Sequence, residues 1–508
     1  MNREQRPLSK QTIKVLQVSA ELFPWLKTGG LADVAGALPR ALAPYGVEMR
    51  ALVPGFSAFV NALTSRETVS SAWTPWGDFF RIDRAWSVGD KPICLYVIVA
   101  PALYERAGTP YEAENRYPFS DNHKRFGCLS WAAKLLAEGV DPDWQPSVVH
   151  AHDWHAGLTP LYLRYHRQAH AAPIPSLLTI HNLAYQGLFD AKHREELVIP
   201  DACWHMDGVE FHGQISMLKA GIVYADHINT VSPSYAREIQ GPEQGCGLEG
   251  LLKLRAEHLS GILNGIDQEV WDPSTDPYLS ARYGRYSLGF KRQNHRALES
   301  ELGLQPQGHG PRCAVISRLS SQKGLGLIVE AAHSLIEAGS QLLVLGSGDS
   351  SLEHAFRALE SRFSGRMHFR NEFDEGLAHR IFAGSDVILM PSMFEPCGLT
   401  QMYGMRYGCL PLVHRVGGLA DTVRPWSADL PMHHDQNLTA NGFGFAVHRL
   451  SDFLACWSDM MKCWQDRQAW QTLQSQAMSA DWGWGHAASL YARLYQNLLE
   501  VLPSPGDA

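Results

Sequence analysis

Short apolar runs rich in β-branched residues alternate with stretches of helical period along this 508-residue chain, and the alternation starts twice. The first series is IKVLQVSA, PICLYVIVA, SVVHAHD, SLLTIHN and HINTVS; the second is CAVISRL, QLLVLGSGD, MHFRNEF, DVILMPS and LPLVHR. Runs of this length suit strands buried on both faces of a parallel sheet, and parallel strands need the helical crossovers that the intervening period supplies. The two series are separated by Ile262-Leu263-Asn264-Gly265-Ile266-Asp267 and the loop-like WDPSTDPYLSARYG. The expected fold class is therefore α/β, with two Rossmann-like doubly wound domains facing each other across a cleft. Their expected bounds are residues 1–265 and 266–480, followed by a terminal segment, 481–508. A ligand is expected outside the carboxyl ends of the strands.

Composition narrows the partners. The net charge is −8 with no basic block, which excludes a nucleic acid as the main ligand. The start, MNREQRPLSK, is polar, and the apolar run after it is too short for a signal h-region or a membrane span, so a cytoplasmic protein with no membrane partner is expected. Nine cysteines without a C-x-x-C pair read as reduced thiols. Fifteen tryptophans admit two readings, sugar-stacking rings or fillers of a large core.

The stretch PWLKTGGLADV follows the first strand-like run. Leu31, Val34, Ala35, Leu38 and Leu42 recur at helical spacing, and Asp33 falls in the first turn, where a carboxylate meets the positive end of the helix dipole. Gly29 and Gly30 thus open a helix. They either let backbone N–H groups approach an anion, with Lys27 adding charge, or form a plain glycine turn with a solvated lysine. In the second half, Arg318 and Lys323 of SRLSSQKGL bracket a loop before another helix. Arg grips phosphate bidentately and Lys acts as a point charge, so together they suit a diphosphate, although two surface cations would look the same. Glu395 of PSMFEPCGLTQMYGMRYG lies past a strand and before a helix start at Gly398-Leu399-Thr400, a place from which a carboxylate can accept bonds from sugar hydroxyls. Thiol catalysis by the neighbouring Cys397 is disfavoured, because no histidine is paired with it in the sequence.

His150, His152, Asp153 and His155 of HAHDWHAG lack the spacing of a recognised metal set, so no metal is assigned. His181 and Asn182 of TIHNLAYQG end a strand and read as structural or sugar-facing. GGLAD occurs at Gly29–Asp33 and again at Gly417–Asp421; both copies read as strand-to-helix turns needing the same close backbone approach, or as a chance match. Ala487, Leu490, Tyr491, Leu494 and Leu498 form one helical face that must dock on one of the domains.

Taken in order, KTGGLADV, DNHKRF, HAHDWHAGL, TIHNLAYQG, VSPSYAREI, LNGID, SRLSSQKGL, FEPCGLTQMYGMRYG and GGLADTV resemble bacterial glycogen synthases, the ADP-glucose-using relatives of plant starch synthases. The resemblance runs from about Lys14 to Leu499. It implies the GT-B architecture, with the terminal helix crossing back to the first domain. The first domain would be the acceptor side and the second the nucleotide-sugar side. It also implies roles for single residues. Lys27, Gly29 and Gly30 would lie at the ADP-glucose diphosphate, and Arg318 and Lys323 would bind the same diphosphate as it leaves. Glu395 would contact the glucose hydroxyls, with Cys397, Gly398, Leu399 and Thr400 lining the same cradle. His181 would approach the donor sugar near the reacting carbon and, with Arg318, Lys323, Glu395 and Asp153, would make up the catalytic set, while Asn182 and Asn264 would be polar residues of the cleft that bind ADP-glucose. The implied reaction is retaining transfer of glucose to the non-reducing end of an α-1,4-glucan, glycogen, with no cofactor and no metal. A UDP-glucose donor and a non-catalytic glucan-binding relative are the alternatives. Oligomeric state is not implied, and the residues before Lys14 have no assigned task.

Overall fold

The computed structural model describes residues 12–63, 65–89, 92–169, 171–427 and 440–501; the polar leader MNREQRPLSK lies outside them. The chain divides into two compact units, one running through Asn264 and resuming at Trp484, the other Gly265–Gly483.

The first unit holds a nine-stranded sheet. Its strands are β1 (Ile13–Val18), β2 (Val47–Pro54), β3 (Arg66–Trp73), β4 (Phe79–Trp86), β5 (Cys94–Val99), β6 (Val148–His152) and β7 (Ser176–Ile180), with β11 (His227–Thr230) and β12 (Leu259–Gly261). Between them β8 (Leu188–Asp190), β9 (Glu210–Phe211) and β10 (Gln214–Ser216) make a separate three-stranded sheet. The order in the large sheet is β12-β11-β7-β6-β1-β2-β5-β4-β3, every pair parallel except β5–β4 and β4–β3 at one edge, so that β4 runs against the rest. The chain therefore builds outward from β1 through β2 and β5, then returns to the other side of β1 with β6, β7, β11 and β12. That reversal between β1 and β6 leaves a crevice at their carboxyl ends, because the crossovers on its two sides leave by opposite faces. β6 and β7 are buried at every residue, which explains why their sequences show no polar alternation.

The second unit repeats the principle with β13 (Arg312–Ile316), β14 (Gln341–Leu345), β15 (Met367–Arg370), β16 (Val387–Met390), β17 (Leu410–His414) and β18 (Phe443–Phe445). Their order, β15-β14-β13-β16-β17-β18, is wholly parallel and reverses between β13 and β16. Trp271 lies in the core of this unit, stacked at 3.9 Å on both His379 and Tyr403. Trp144, Trp457 and Trp470 are buried as well, so for these residues the core reading holds, whereas Trp73 and Trp86 are exposed. All nine cysteines are free thiols, buried except Cys246 and Cys456.

The terminal helix, Trp484–Val501, packs on the first unit. Ala487, Ala488, Tyr491, Ala492, Tyr495 and Leu498 join Val34, Leu38 and Leu42 of helix Gly30–Leu42 and Ile13, Val15 and Val47 of the sheet in one core cluster. Two buried polar links add direction to this apolar contact: Tyr495 Oη meets His150 Nδ1 at 2.8 Å, and Asn229 Nδ2 donates to Tyr491 Oη at 3.0 Å. His150 is fully buried and burial pushes its imidazole down to about 3, so it stays neutral and depends on this neutral partner. No helix among the described residues is long and apolar enough to cross a membrane. Tyr495→Phe keeps the ring and strands His150 Nδ1, and equilibrium denaturation should read a loss of about 1–3 kcal/mol; an unchanged midpoint would show that the hydroxyl contributes nothing.

Candidate active site

Both sheet reversals place sequence motifs at the same kind of position. In the first unit the segment carrying Lys27, Gly29 and Gly30 follows β1, and HAHDWHAG spans the carboxyl end of β6 and the turn after it. In the second, Arg318 and Lys323 follow β13, and Glu395 to Thr400 follow β16.

A residue not singled out in the sequence holds the first of these loops. Glu21 is 3% exposed, and its carboxylate accepts the N–H of Thr28 at 2.6 Å, the N–H of Gly29 at 3.3 Å, the Thr28 hydroxyl and the Tyr111 hydroxyl. A buried carboxylate is tolerated only when its lone pairs are used, and here the loop itself uses them. Lys27 is thereby presented at the surface, 2.8 Å from Asp33 in the first turn of helix Gly30–Leu42. The local signal for Glu21 was weak: it ends an apolar run, and Tyr111 lies 90 residues away.

The two GGLAD copies open helices with different backbones at their first glycine, φ −159° at Gly29 and 46° at Gly417. Gly29 has an extended backbone, and a Cβ there would meet nothing within 4 Å, so packing does not demand glycine. Gly418 donates its N–H to the Glu395 carbonyl at 3.0 Å, and a Cβ there would lie 2.0 Å from the Cys397 carbonyl oxygen. The shared close approach expected from the sequence is thus, in the second copy, an approach to the protein's own FEPCG backbone.

Asp153 has φ of 54°, which a non-glycine residue adopts only at a cost in strain. The turn buries its carboxylate beneath the end of β7, where it accepts the backbone N–H of His181 at 2.6 Å and of Asn182 at 3.4 Å. Burial outweighs these bonds and pushes the Asp153 carboxyl up to about 7. Its direct contacts make it a support of the His181-Asn182 backbone. Asn182 in turn accepts the Ala184 N–H through its amide oxygen at 3.1 Å. His181 is partly buried, held down to about 3 by desolvation, and its Nε2 lies 2.8 Å from His152 Nδ1. Asn264, at the end of the first unit, is buried with no hydrogen-bond partner for Oδ1 among the described residues.

In the second unit the structure joins two residues 72 positions apart. Lys323 Nζ lies 2.6 Å from Glu395 Oε2, which also accepts the Ser392 hydroxyl at 2.9 Å. Glu395 is 5% exposed and the Lys323 side chain 18%, so this is a largely desolvated ion pair. Arg318 is exposed and makes no ion pair among the described residues. Gly398 turns with φ of 70°, Cys397 is buried beneath it, and Leu399 precedes helix Thr400–Arg406. The loop is pinned by Gln401, whose Nε2 donates to the carbonyls of Cys397 and Gly398 at 3.2 and 2.9 Å.

For metals, His150 has both ring nitrogens engaged, by Tyr495 and by Thr179 at 2.7 Å, and cannot ligate without losing one. Among the described residues one group has convergent metal-compatible donors, His123, His193 and Glu196. Its carboxylate already takes both imidazoles through Oε2 at 2.9 and 3.0 Å and Lys124 through Oε1 at 2.6 Å, so a cation would have to displace these partners beside an existing positive charge.

Asp153 gives a signed pH prediction. Its folded pKa lies above the unfolded value of 3.8, so the unfolded chain releases this proton first. Relative to Asp153→Asn, which keeps an acceptor oxygen, wild-type stability should fall as pH rises from about 4 to about 7 and level off above that, by a few kcal/mol in order of magnitude. Denaturation midpoints of the two proteins across this range check it; parallel curves would overturn it.

The comparisons with known proteins follow this geometry closely. Residues 14–254 match the family described as starch synthase catalytic domain, and residues 310–443 match glycosyl transferases group 1. A glycogen synthase of Variovorax paradoxus is 46% identical over 96% of this chain and 99% of its own length, and one of Erwinia tasmaniensis is 46% identical over 96% and 100%. Among solved structures, the catalytic domain of starch synthase IV from Arabidopsis thaliana bound to ADP and acarbose is similar with a TM-score of 0.86 at 29% identity, covering 96% of this chain and all of that one. A sucrose-phosphate synthase from Thermosynechococcus elongatus shares the fold, with a TM-score of 0.58 at 15% identity over 97% of this chain and all of that one. With two sheets that each reverse at their first strand, and with this identity over nearly its whole length, the chain belongs to the glycogen synthase family, glucosyltransferases of GT-B architecture.

Proposed function

We propose that the chain transfers glucose from ADP-glucose to the non-reducing end of an α-1,4-glucan and retains the α configuration. The observation that carries this reading is the Lys323–Glu395 pair at the second sheet's reversal, with Arg318, exposed and without an ion pair among the described residues, following the same β13. A carboxylate whose Oε2 is held by Lys323 and Ser392 still has Oε1 to accept glucose hydroxyls. Lys323 and Arg318 supply fixed positive charge for a diphosphate that gains negative charge as its bond to C1 breaks. The ADP in the Arabidopsis structure supports adenine as the donor base.

In this scheme the C1–O bond to the diphosphate breaks and the C1–O bond to the acceptor 4-hydroxyl forms on the same face. The hydroxyl proton passes to a departing phosphate oxygen, so no protein nucleophile is required. Lys27 and the Gly29-Gly30 backbone are assigned to the same diphosphate on the family resemblance, and Glu21, which takes the Gly29 N–H, would act by holding their loop. His181, kept neutral by burial, would contact the sugar without placing a cation beside the oxocarbenium-like carbon. Cys397 to Thr400 would line the cradle of the glucose, with Asn264 and Asn182 as polar walls.

Incubation with ADP-glucose and glycogen should release ADP in step with glucan growth, and preference for UDP-glucose in a radiolabel competition would overturn the donor. The desolvated pair refines what Lys323→Ala should do. It should lower kcat about 10²–10³-fold. It should also cost about 1–3 kcal/mol, because Glu395 is left buried without its cation. Adding Glu395→Gln should restore the denaturation midpoint and leave activity low; a double variant that recovers activity would show that the pair only packs.

A further inference from the structure

The His152 side chain makes one hydrogen bond among the described residues, and its other ring nitrogen is left unpaired. Its Nδ1 lies 2.8 Å from His181 Nε2, while its own Nε2 is buried with no partner among the described residues. The ring is fully buried and lies against His150 at a centroid distance of 4.1 Å, the planes tilted by 33°. His150 in turn is locked by Tyr495 and Thr179. Burial pushes both His152 and His181 down, so two neutral imidazoles share a single proton across the 2.8 Å contact. If His181 Nε2 carried it, His152 would be left with a buried N–H that has no acceptor. If His152 Nδ1 carries it, the unpaired atom is a bare acceptor nitrogen, and buried orphan donors are the rarer of the two in proteins. The second arrangement leaves His181 with its own proton on Nδ1, the ring nitrogen that no protein group engages among the described residues.

We propose that His152 is a positioning residue that holds His181 as the neutral Nδ1–H tautomer, so that the imidazole offers the donor glucose a hydrogen-bond donor rather than an acceptor. The catalytic half of this inference rests on the proposed role of His181; the tautomer does not. An uncharged N–H can fix a sugar hydroxyl through its oxygen and leaves that hydroxyl's proton free for a second partner. It adds no positive charge next to a carbon that is becoming cationic. The support runs through this ring contact to the terminal helix, since Tyr495 orients His150 and His150 lies against His152.

The tautomer is read directly on the wild-type protein by long-range proton–nitrogen NMR of ¹⁵N-histidine, the His181 signals being assigned by their loss in His181→Gln. A pyrrole-type Nδ1 and a pyridine-type Nε2 are expected; a proton on Nε2 overturns the proposal. Two variants read the consequence. Asn can place its Nδ2–H near the position of an imidazole Nδ1–H, whereas Leu cannot, so His152→Leu should lower kcat about 30-fold or more with KM for ADP-glucose changed less than about 3-fold, and His152→Asn should recover most of the loss. Equal defects in Leu and Asn, or a loss confined to KM, would show a structural role only and overturn the positioning role. His181→Ala with full activity would instead remove the sugar contact itself, and the NMR result would still report the tautomer.

Discussion

The feature on which the rest depends is the reversal of strand order at β1 in one sheet and at β13 in the other. Right-handed crossovers cover a parallel sheet on both faces, and at the reversal neighbouring connections leave in opposite directions. The carboxyl ends of the two central strands are then the one edge that the unit's own helices do not fill. Four loops emerge there, after β1, β6, β13 and β16, and among them they carry Lys27, Asp153, Arg318, Lys323 and Glu395. The strands beneath are buried and regular, so loops of unusual chemistry rest on a base that does not move with them.

Within these loops the acidic and basic residues divide the work. Glu21 and Asp153 are buried and spend their oxygens on backbone N–H groups, shaping the segments that follow. Glu395 is buried too but accepts only from side chains through Oε2. The cations Lys27 and Arg318 are exposed, and Lys323 is held to one side by Glu395. Carboxylates thus set geometry: Asp33 and Glu395 hold Lys27 and Lys323, and Arg318 makes no ion pair among the described residues. His150, His152 and His181 are kept out of this charge balance by burial, and that makes their hydrogen bonds, rather than their protonation, the property that matters.

Much of this was legible in the sequence. The two strand series, the helix opened by Gly29-Gly30 with Asp33 in its first turn, and the apolar face of the terminal helix all appear where local periodicity places them. The motifs also led to the loops at the reversals. Glu21 was passed over because nothing within its own run marks it; only the fold brings Thr28, Gly29 and Tyr111 around one carboxylate. The Tyr495–His150 contact spans 345 residues and the Lys323–Glu395 contact 72, distances over which a periodic pattern carries no pairing information. Gly29 and Gly417, the first glycines of identical pentapeptides, show the same limit from the other side: one is extended at φ −159° and the other left-handed at φ 46°.

What the sequence determined by itself was the class of fold, the family and the residue types available for chemistry, because strand length, helical period and motif wording are local properties of the chain. Strand order, the partners of each buried carboxylate, the docking of the terminal helix on the first unit and the proton on His181 were decided only by tertiary structure. Each of these depends on which distant groups share a site from which water has been removed, and there an unpaired polar atom costs enough free energy to select one arrangement over another.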